Sequence, residues 1–261
     1  MTDGQMSDAP GYIDRLITIL RTVVETQSHS LDRTAQLCAG ALEQENLVHF
    51  FGSGHSVIPV MDAFPRYGSF AGLNPLIDPR LLWYNVFGAG GLGGLQWLEN
   101  SEGYVPEFLK DEPLIQGDVL ICYSHGGTNA APIDAALFAR QRGASTVAVT
   151  AASHARTSQH SSGNRLVDVC DVIVDTCCPL EDAIVPVSGW PAPTGGSATA
   201  VQVAVTQEII SRTAVVAAGL GFCLPTLANP TVPGVTNEKV LDEYRRRLRQ
   251  AEDRAQRAEK P

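Results

Sequence analysis

Basic charge is scarce in this chain. Its 261 residues hold 19 Lys and Arg against 28 Asp and Glu, a net charge of −9, and its pI is near 5.1. That deficit argues against nucleic acid as the main partner, because binding a phosphate backbone needs a basic face. The one Arg-rich stretch, 244–249, is interleaved with Asp242, Glu243, Glu252 and Asp253, as on a solvated helix face. The start lacks the basic and then apolar run of a signal peptide, so a cytoplasmic protein is expected. Ser197 to Ala218 is apolar enough to raise the question of a membrane span, yet it carries Gln202, Gln207, Glu208 and Arg212, and no membrane partner is expected. The six cysteines, at 38, 122, 170, 177, 178 and 223, show no metal-ligand spacing and read as reduced, buried thiols. Neither a metal nor a cofactor is expected. No linker, internal repeat or low-complexity segment divides the chain, so one large α/β domain over 1–261 is expected.

What is present centres on one glycine-rich turn. The apolar run 47–51 reads as a buried strand that breaks into Gly52-Ser53-Gly54-His55-Ser56 before a helix. Glycines admit a ligand to the backbone, hydroxyls donate hydrogen bonds, and a helix N-terminus presents unpaired N–H groups. Anion binding and simple helix capping are both open at this turn. The layout then recurs: the strand 118–123 runs into Ser124-His125-Gly126-Gly127-Thr128-Asn129 and a helix ending near Gly143. In an open parallel sheet, two such turns converge on one small anionic group beyond the strand ends. The first turn lacks the third glycine of a dinucleotide fingerprint, and neither turn is followed by Gly-Lys-Ser/Thr. A single phosphate on a small molecule fits better than a nucleotide.

Residues 1–9 read as disordered, followed by two leading helices, the second capped by Ser30, within an N-terminal extension of about 10–46. Further strands are expected at 81–87, 145–150 and 171–176. A polar loop over 153–165 lies at the ligand end, and 179–196 reads as loop. The helix from Ser197 is apolar nearly all round and must be buried, under the sheet or at a subunit interface. A final helix spans about 236–258. Alternating apolar strands and helices predict a three-layer α/β/α sandwich with a central parallel sheet, preceded by N-terminal helices.

Over roughly 40–220 the chain resembles the sugar isomerase (SIS) domain family of phosphosugar isomerases and phosphosugar-binding proteins. The first family turn matches Gly52, Gly54 and Ser56; the second, Ser-x-Ser-Gly-x-Thr, matches Ser124 and Gly127, with Gly126 and Asn129 departing from it and Thr128 adding a hydroxyl. Within that family the chain is similar to N-acetylmuramic acid 6-phosphate etherases. It has Ala89-Gly90-Gly91, then Glu99-Asn100-Ser101-Glu102, and a closing Thr236-Asn237-Glu238-Lys239. Where etherases carry Asp-Ala-Ser-Glu-Cys-Pro-Pro, this chain has Asp62-Ala63-Phe64-Pro65-Arg66, without the glutamate.

The resemblance implies a phosphosugar held by Gly52, Ser53, Gly54, Ser56, Ser124, Gly126, Gly127, Thr128 and Asn129. It also implies a homodimer or homotetramer with sites near the subunit interface. Isomerisation and elimination both begin with removal of the C2 proton of an open-chain phosphosugar. Glu102 is the expected base, against a reading as an exposed helix-end carboxylate. Glu181 is the next candidate, as acid or hydroxyl ligand, and His55 and His125 sit inside the ligand turns. His154 and His160 are candidate acids for ring opening, and Arg66 is expected to pair with Asp62. The leading expectation is dehydration across C2 and C3 of an N-acetylhexosamine 6-phosphate. Alternatives are an aldose–ketose isomerase and a non-catalytic phosphosugar sensor.

Overall fold

A computed structural model describes residues 11–82, 92–154 and 157–258. Helix α1 (Tyr12–Glu43) leads into β1 (Val48–Gly52), α2 (Val57–Ala63) and β2 (Leu73–Leu76). Then come α3 (Leu92–Glu99), α4 (Tyr104–Leu109), β3 (Val119–Tyr123), α5 (Ala130–Gln141), β4 (Ser145–Thr150), α6 (Leu166–Val169) and β5 (Val172–Asp175). A two-stranded ribbon, β6 (Ala183–Val185) and β7 (Thr194–Gly196), precedes α7 (Ala198–Gly219) and α8 (Asn237–Ala258).

The five main strands are parallel in the order β2-β1-β3-β4-β5. Alternation along each strand sends side chains to two cores, as period-2 geometry requires. Phe50, Ile121, Tyr123 and Val149 join Leu42 of α1 and Val205 and Ile209 of α7 on one face. Phe51, Leu120, Cys122 and Ala148 meet the alanines of α5 and Leu109 of α4 on the other. Phe50 and Phe51 are fully buried, and each contributes roughly 1.5–3 kcal/mol by leaving water. The expected α/β/α sandwich with a central parallel sheet is the observed fold.

Three local expectations are corrected. A single 32-residue helix replaces the two leading helices. Ser30 lies inside it, its carbonyl accepting from Thr34 Oγ1 at 2.8 Å, while Leu31, Ala35 and Cys38 keep one face buried through the supposed break. The second strand in sequence is 73–76; of the expected 81–87, Leu81 closes a one-turn 3-10 helix, Leu82 makes one bridge to Gly54, and 83–87 lie outside the described residues. The segment 179–196 contains the β6–β7 ribbon. The expected disorder of 1–9 and the Ala89-Gly90-Gly91 segment also lie outside the described residues. Arg66 pairs with Asp62 as expected. No helix among the described residues is long and apolar enough to cross a membrane.

Candidate functional site

Because β2 and β3 lie on opposite sides of β1, the chain reverses direction across the sheet between β1 and β3, where the loops leave a crevice at the strand ends. Gly52 stands level with Tyr123 in the β1–β3 register, so the two glycine-rich turns begin side by side. A cavity of about 520 Å³ opens there. Ser53, Gly54, His55 and Ser56 line it from the first turn, and Ser124, His125, Gly126, Thr128 and Asn129 from the second. The wall opposite is built by α3, with Leu92, Leu95, Gln96 and Glu99, and by the β6–β7–α7 region, with Asp182, Gly196, Ala198, Thr199 and Gln202. None of these lining residues is Lys or Arg.

Gly52 and Gly127 are not on the lining; they shape it. A Cβ on Gly52 would sit 2.1 Å from the Ser56 carbonyl oxygen, so only glycine lets the first turn close. Gly127 has φ +63°, and a Cβ there would meet Thr150 Oγ1 at 3.0 Å. The Gly127 N–H donates to Ser124 Oγ at 3.1 Å, which fixes that hydroxyl at the mouth of the loop.

The N-termini of α7 and α5 face the cavity in different states. At α7 the Asp182 carboxylate accepts from the Ser197 and Ala198 N–H groups at 2.8 and 2.6 Å, so that end already holds an anion. Asp182 adopts φ +64° to do so, a conformation that aspartate tolerates better than most residues. At α5 the N-cap Asn129 makes no side-chain cap bond. Its first-turn N–H groups, with Ser124 and Thr128 beside them, are the part of the cavity suited to an incoming anion.

Of the two acidic residues on the wall, Glu99 is the one contributed by α3. Ser53 Oγ donates to its Oε2 at 3.0 Å. Burial pushes its carboxyl above the ordinary range, opposed by hydrogen bonds from Ser53 and Asn129. Glu102, expected as the base, lies outside the cavity lining. Its carboxylate accepts from Ser161 N and Oγ at 2.6 and 2.5 Å. The Ser161 hydroxyl, followed by its N–H, holds that carboxyl below the usual range. Glu99 is the last residue of α3 and Glu102 lies in the turn between α3 and α4, so the chain has left the helix between them and puts one in the cavity and the other against Ser161.

Glu181 also lies elsewhere: it is exposed and borders a second cavity between α1 and the β6–β7 ribbon, while its neighbour Asp182 turns inward. His55 and His125 are both on the lining, with His125 Nε2 3.2 Å from the Leu180 carbonyl oxygen. His154 faces the Cys178 carbonyl at 2.8 Å, and His160 lies between Asp134, at 3.1 Å, and Glu102, at 3.7 Å; neither histidine reaches the cavity. Among the described residues no group of three or more His, Cys, Asp or Glu could hold a metal ion. Asp182, Gln202 and the inward turn of Glu99 were not singled out by sequence. The visible signal for Gln202 is a lone amide in the apolar run Ala200-Val201-Gln202-Val203-Ala204.

A family model described as the SIS domain matches residues 11–151. The UPF0309 protein SCO4393 of Streptomyces coelicolor is 32% identical over 250 residues, covering 93% of this chain and 98% of that protein. The UPF0309 protein OB3413 of Oceanobacillus iheyensis is 34% identical over 178 residues, 67% of this chain and 71% of that protein. Among solved structures, phosphoheptose isomerase GmhA from Neisseria gonorrhoeae superposes with a TM-score of 0.53 at 14% identity, covering 77% of this chain and 94% of that one. A phosphoheptose isomerase from Francisella tularensis gives 0.51 at 12% identity with the same coverage. At such identities the likeness is one of fold.

Proposed function

The chain belongs to the SIS domain family, and on that premise we propose that it dehydrates an N-acetylhexosamine 6-phosphate, such as N-acetylglucosamine 6-phosphate. The observation that carries this reading is the carboxyl of Glu99, raised by burial and facing the same cavity as the open N-terminus of α5. The phosphate docks at α5, taking hydrogen bonds from first-turn N–H groups and from the Ser124 and Thr128 hydroxyls. With no lysine or arginine on the lining, this dianion is held by dipoles and hydroxyls. Its charge also disfavours ionisation of Glu99 and raises that carboxyl further toward the working pH, where a general base is most effective.

In the open-chain sugar the C1 aldehyde acidifies the C2–H bond. Glu99 takes that proton, and the bonding pair enters a C1–C2 enolate. Collapse of the enolate forms the C2–C3 double bond while the C3 hydroxyl leaves as water, protonated by His55 or His125. One water is lost, and Glu99 returns its proton to the spent acid through solvent. A 6-phosphate of an amino sugar is favoured by the resemblance of Glu99-Asn100-Ser101-Glu102 and Thr236-Asn237-Glu238-Lys239 to motifs of N-acetylmuramic acid 6-phosphate etherases.

Incubation with N-acetylglucosamine 6-phosphate in deuterated water, followed by NMR, tests this. The expected result is loss of the C2 proton signal and appearance of an unsaturated sugar phosphate, with Glu99→Gln losing at least about 100-fold in rate. No C2 exchange and no product would overturn the proposal. A ketose in place of the unsaturated product would assign the isomerase reading.

A further inference from the structure

Among the described residues of the wall, the one buried polar side-chain atom without a hydrogen-bond partner is Gln202 Nε2. The residue is 1% exposed and lines the cavity. Its position is fixed: Gln202 lies one turn into α7, its carbonyl accepts from Thr206 Oγ1 at 2.7 Å, and the same hydroxyl hydrogen-bonds Tyr123 Oη at 2.7 Å in the core. An unpaired buried amide is costly to keep. The helix around it is apolar, so a leucine or methionine would serve packing better.

A carboxamide carries a donor and an acceptor side by side. The group that matches both at once is another amide, whose carbonyl accepts from Nε2 and whose N–H donates to Oε1. The apolar side chains on the lining are Leu92, Leu95 and Ala198, which suit a methyl group at the far end of such an amide. The hydroxyls of Ser53, Ser56, Ser124 and Thr128 lie on the two turns at the other side and match phosphate or sugar hydroxyls.

We infer that Gln202 is the specificity-determining residue of this site, pairing edge to edge with the 2-acetamido group of the substrate while Leu95 and Ala198 hold the acetyl methyl. This rests on the proposed phosphosugar function and deepens it. The group so recognised sits on C2, the carbon that loses its proton to Glu99. Anchoring it by two hydrogen bonds orients the C2–H bond, so recognition and proton transfer share one contact.

Calorimetric binding of N-acetylglucosamine 6-phosphate and glucose 6-phosphate to the wild-type protein, to Gln202→Met and to Gln202→Leu tests the assignment. The two variants are alternatives in case one fails to fold. Wild type is expected to prefer the acetamido sugar by at least about tenfold, the net worth of the paired hydrogen bonds being no less than that of a single well-made buried one. Either variant is expected to bind both sugars equally, with glucose 6-phosphate affinity within about twofold of wild type. Their ligand-free melting temperatures should equal or exceed that of wild type, which a merely structural glutamine would not give.

A preference that survives the substitution, a wild type with no preference, or an equal loss of both sugars overturns the role of Gln202 and leaves phosphosugar binding standing. A wild-type protein that binds neither sugar overturns both proposals together.

Discussion

A carboxylate set into a partly apolar wall is costly to ionise, and Glu99 is held that way by burial between α3 and the first turn. Its folded pKa is raised above the unfolded value, so the folded protein keeps a proton the unfolded chain gives up. Stability therefore falls as pH rises through the ordinary glutamate range, about 4.3, and the penalty is complete above the raised folded value. Replacing Glu99 by Gln is expected to raise the melting temperature at neutral pH, with the gain vanishing below the ordinary glutamate pKa. Melting curves across pH check the sign; a lower melting temperature for the variant at neutral pH would contradict it. The acid limb of kcat/KM should likewise lie above the ordinary carboxylate range, because the base works only when ionised. Glu102→Gln changes a group bound to Ser161 outside the cavity and is expected to keep activity within about tenfold of wild type, against at least about 100-fold lost in Glu99→Gln.

In the proposed site the phosphate is assigned to the β3–α5 loop, whose shape depends on one backbone conformation. Gly127 at φ +63° turns the chain so that its N–H fixes Ser124 while its carbonyl accepts from Leu166 N at 2.8 Å. Gly127→Ala adds a strained left-handed residue, about 1–3 kcal/mol, and a Cβ against Thr150. The expected result is a fall in phosphate and sugar-phosphate affinity by thermal shift that exceeds the fall in activity at saturating substrate. This loop and the first turn were legible in sequence because each is local: an apolar strand, a glycine-hydroxyl break and a helix in immediate succession. Strand β2 was not legible. Its four residues include Pro75, which cannot donate to a sheet ladder and reads as a break; β2 is tolerated because it lies at the sheet edge. Glu99 and Glu102 were hard to separate because which of them faces the cavity depends on how α3 sits against the first turn, a tertiary fact. Asp182 and Gln202 come to the cavity from a segment more than 50 residues beyond the second turn, and nothing local marks their arrival.

At the scale of the whole molecule one end of the sheet carries the candidate site, and the opposite end is tied by a buried polar network. At the amino ends of β1 and β3, His49 and Asp118 are 0% exposed and 3.0 Å apart. Asp118 also accepts from the Leu47 and Ile115 N–H groups, both at 2.9 Å. His49 Nδ1 lies 3.0 Å from Asn74 Nδ2 of β2, and Asn74 Oδ1 accepts from Tyr244 Oη of α8 at 2.9 Å. Three strands and the last helix thus meet in one chain of hydrogen bonds, supplemented where Arg247 donates to the Leu42 carbonyl at the end of α1. Asp118→Ala removes the acceptor for two backbone N–H groups and the partner of a buried histidine, and is expected to cost about 3–5 kcal/mol. Tyr244→Phe removes one terminal bond and is expected to cost about 1 kcal/mol. Urea unfolding reads both, and their ranking is the sensitive part: a Tyr244→Phe loss equal to that of Asp118→Ala would mean that α8 docking, and not the strand junction, holds this end. Because the network lies at the opposite end of the strands from Ser53 and Ser124, the fraction of either variant that stays folded should bind sugar phosphate as wild type does. A changed affinity in that fraction would show that the two ends of the sheet are coupled.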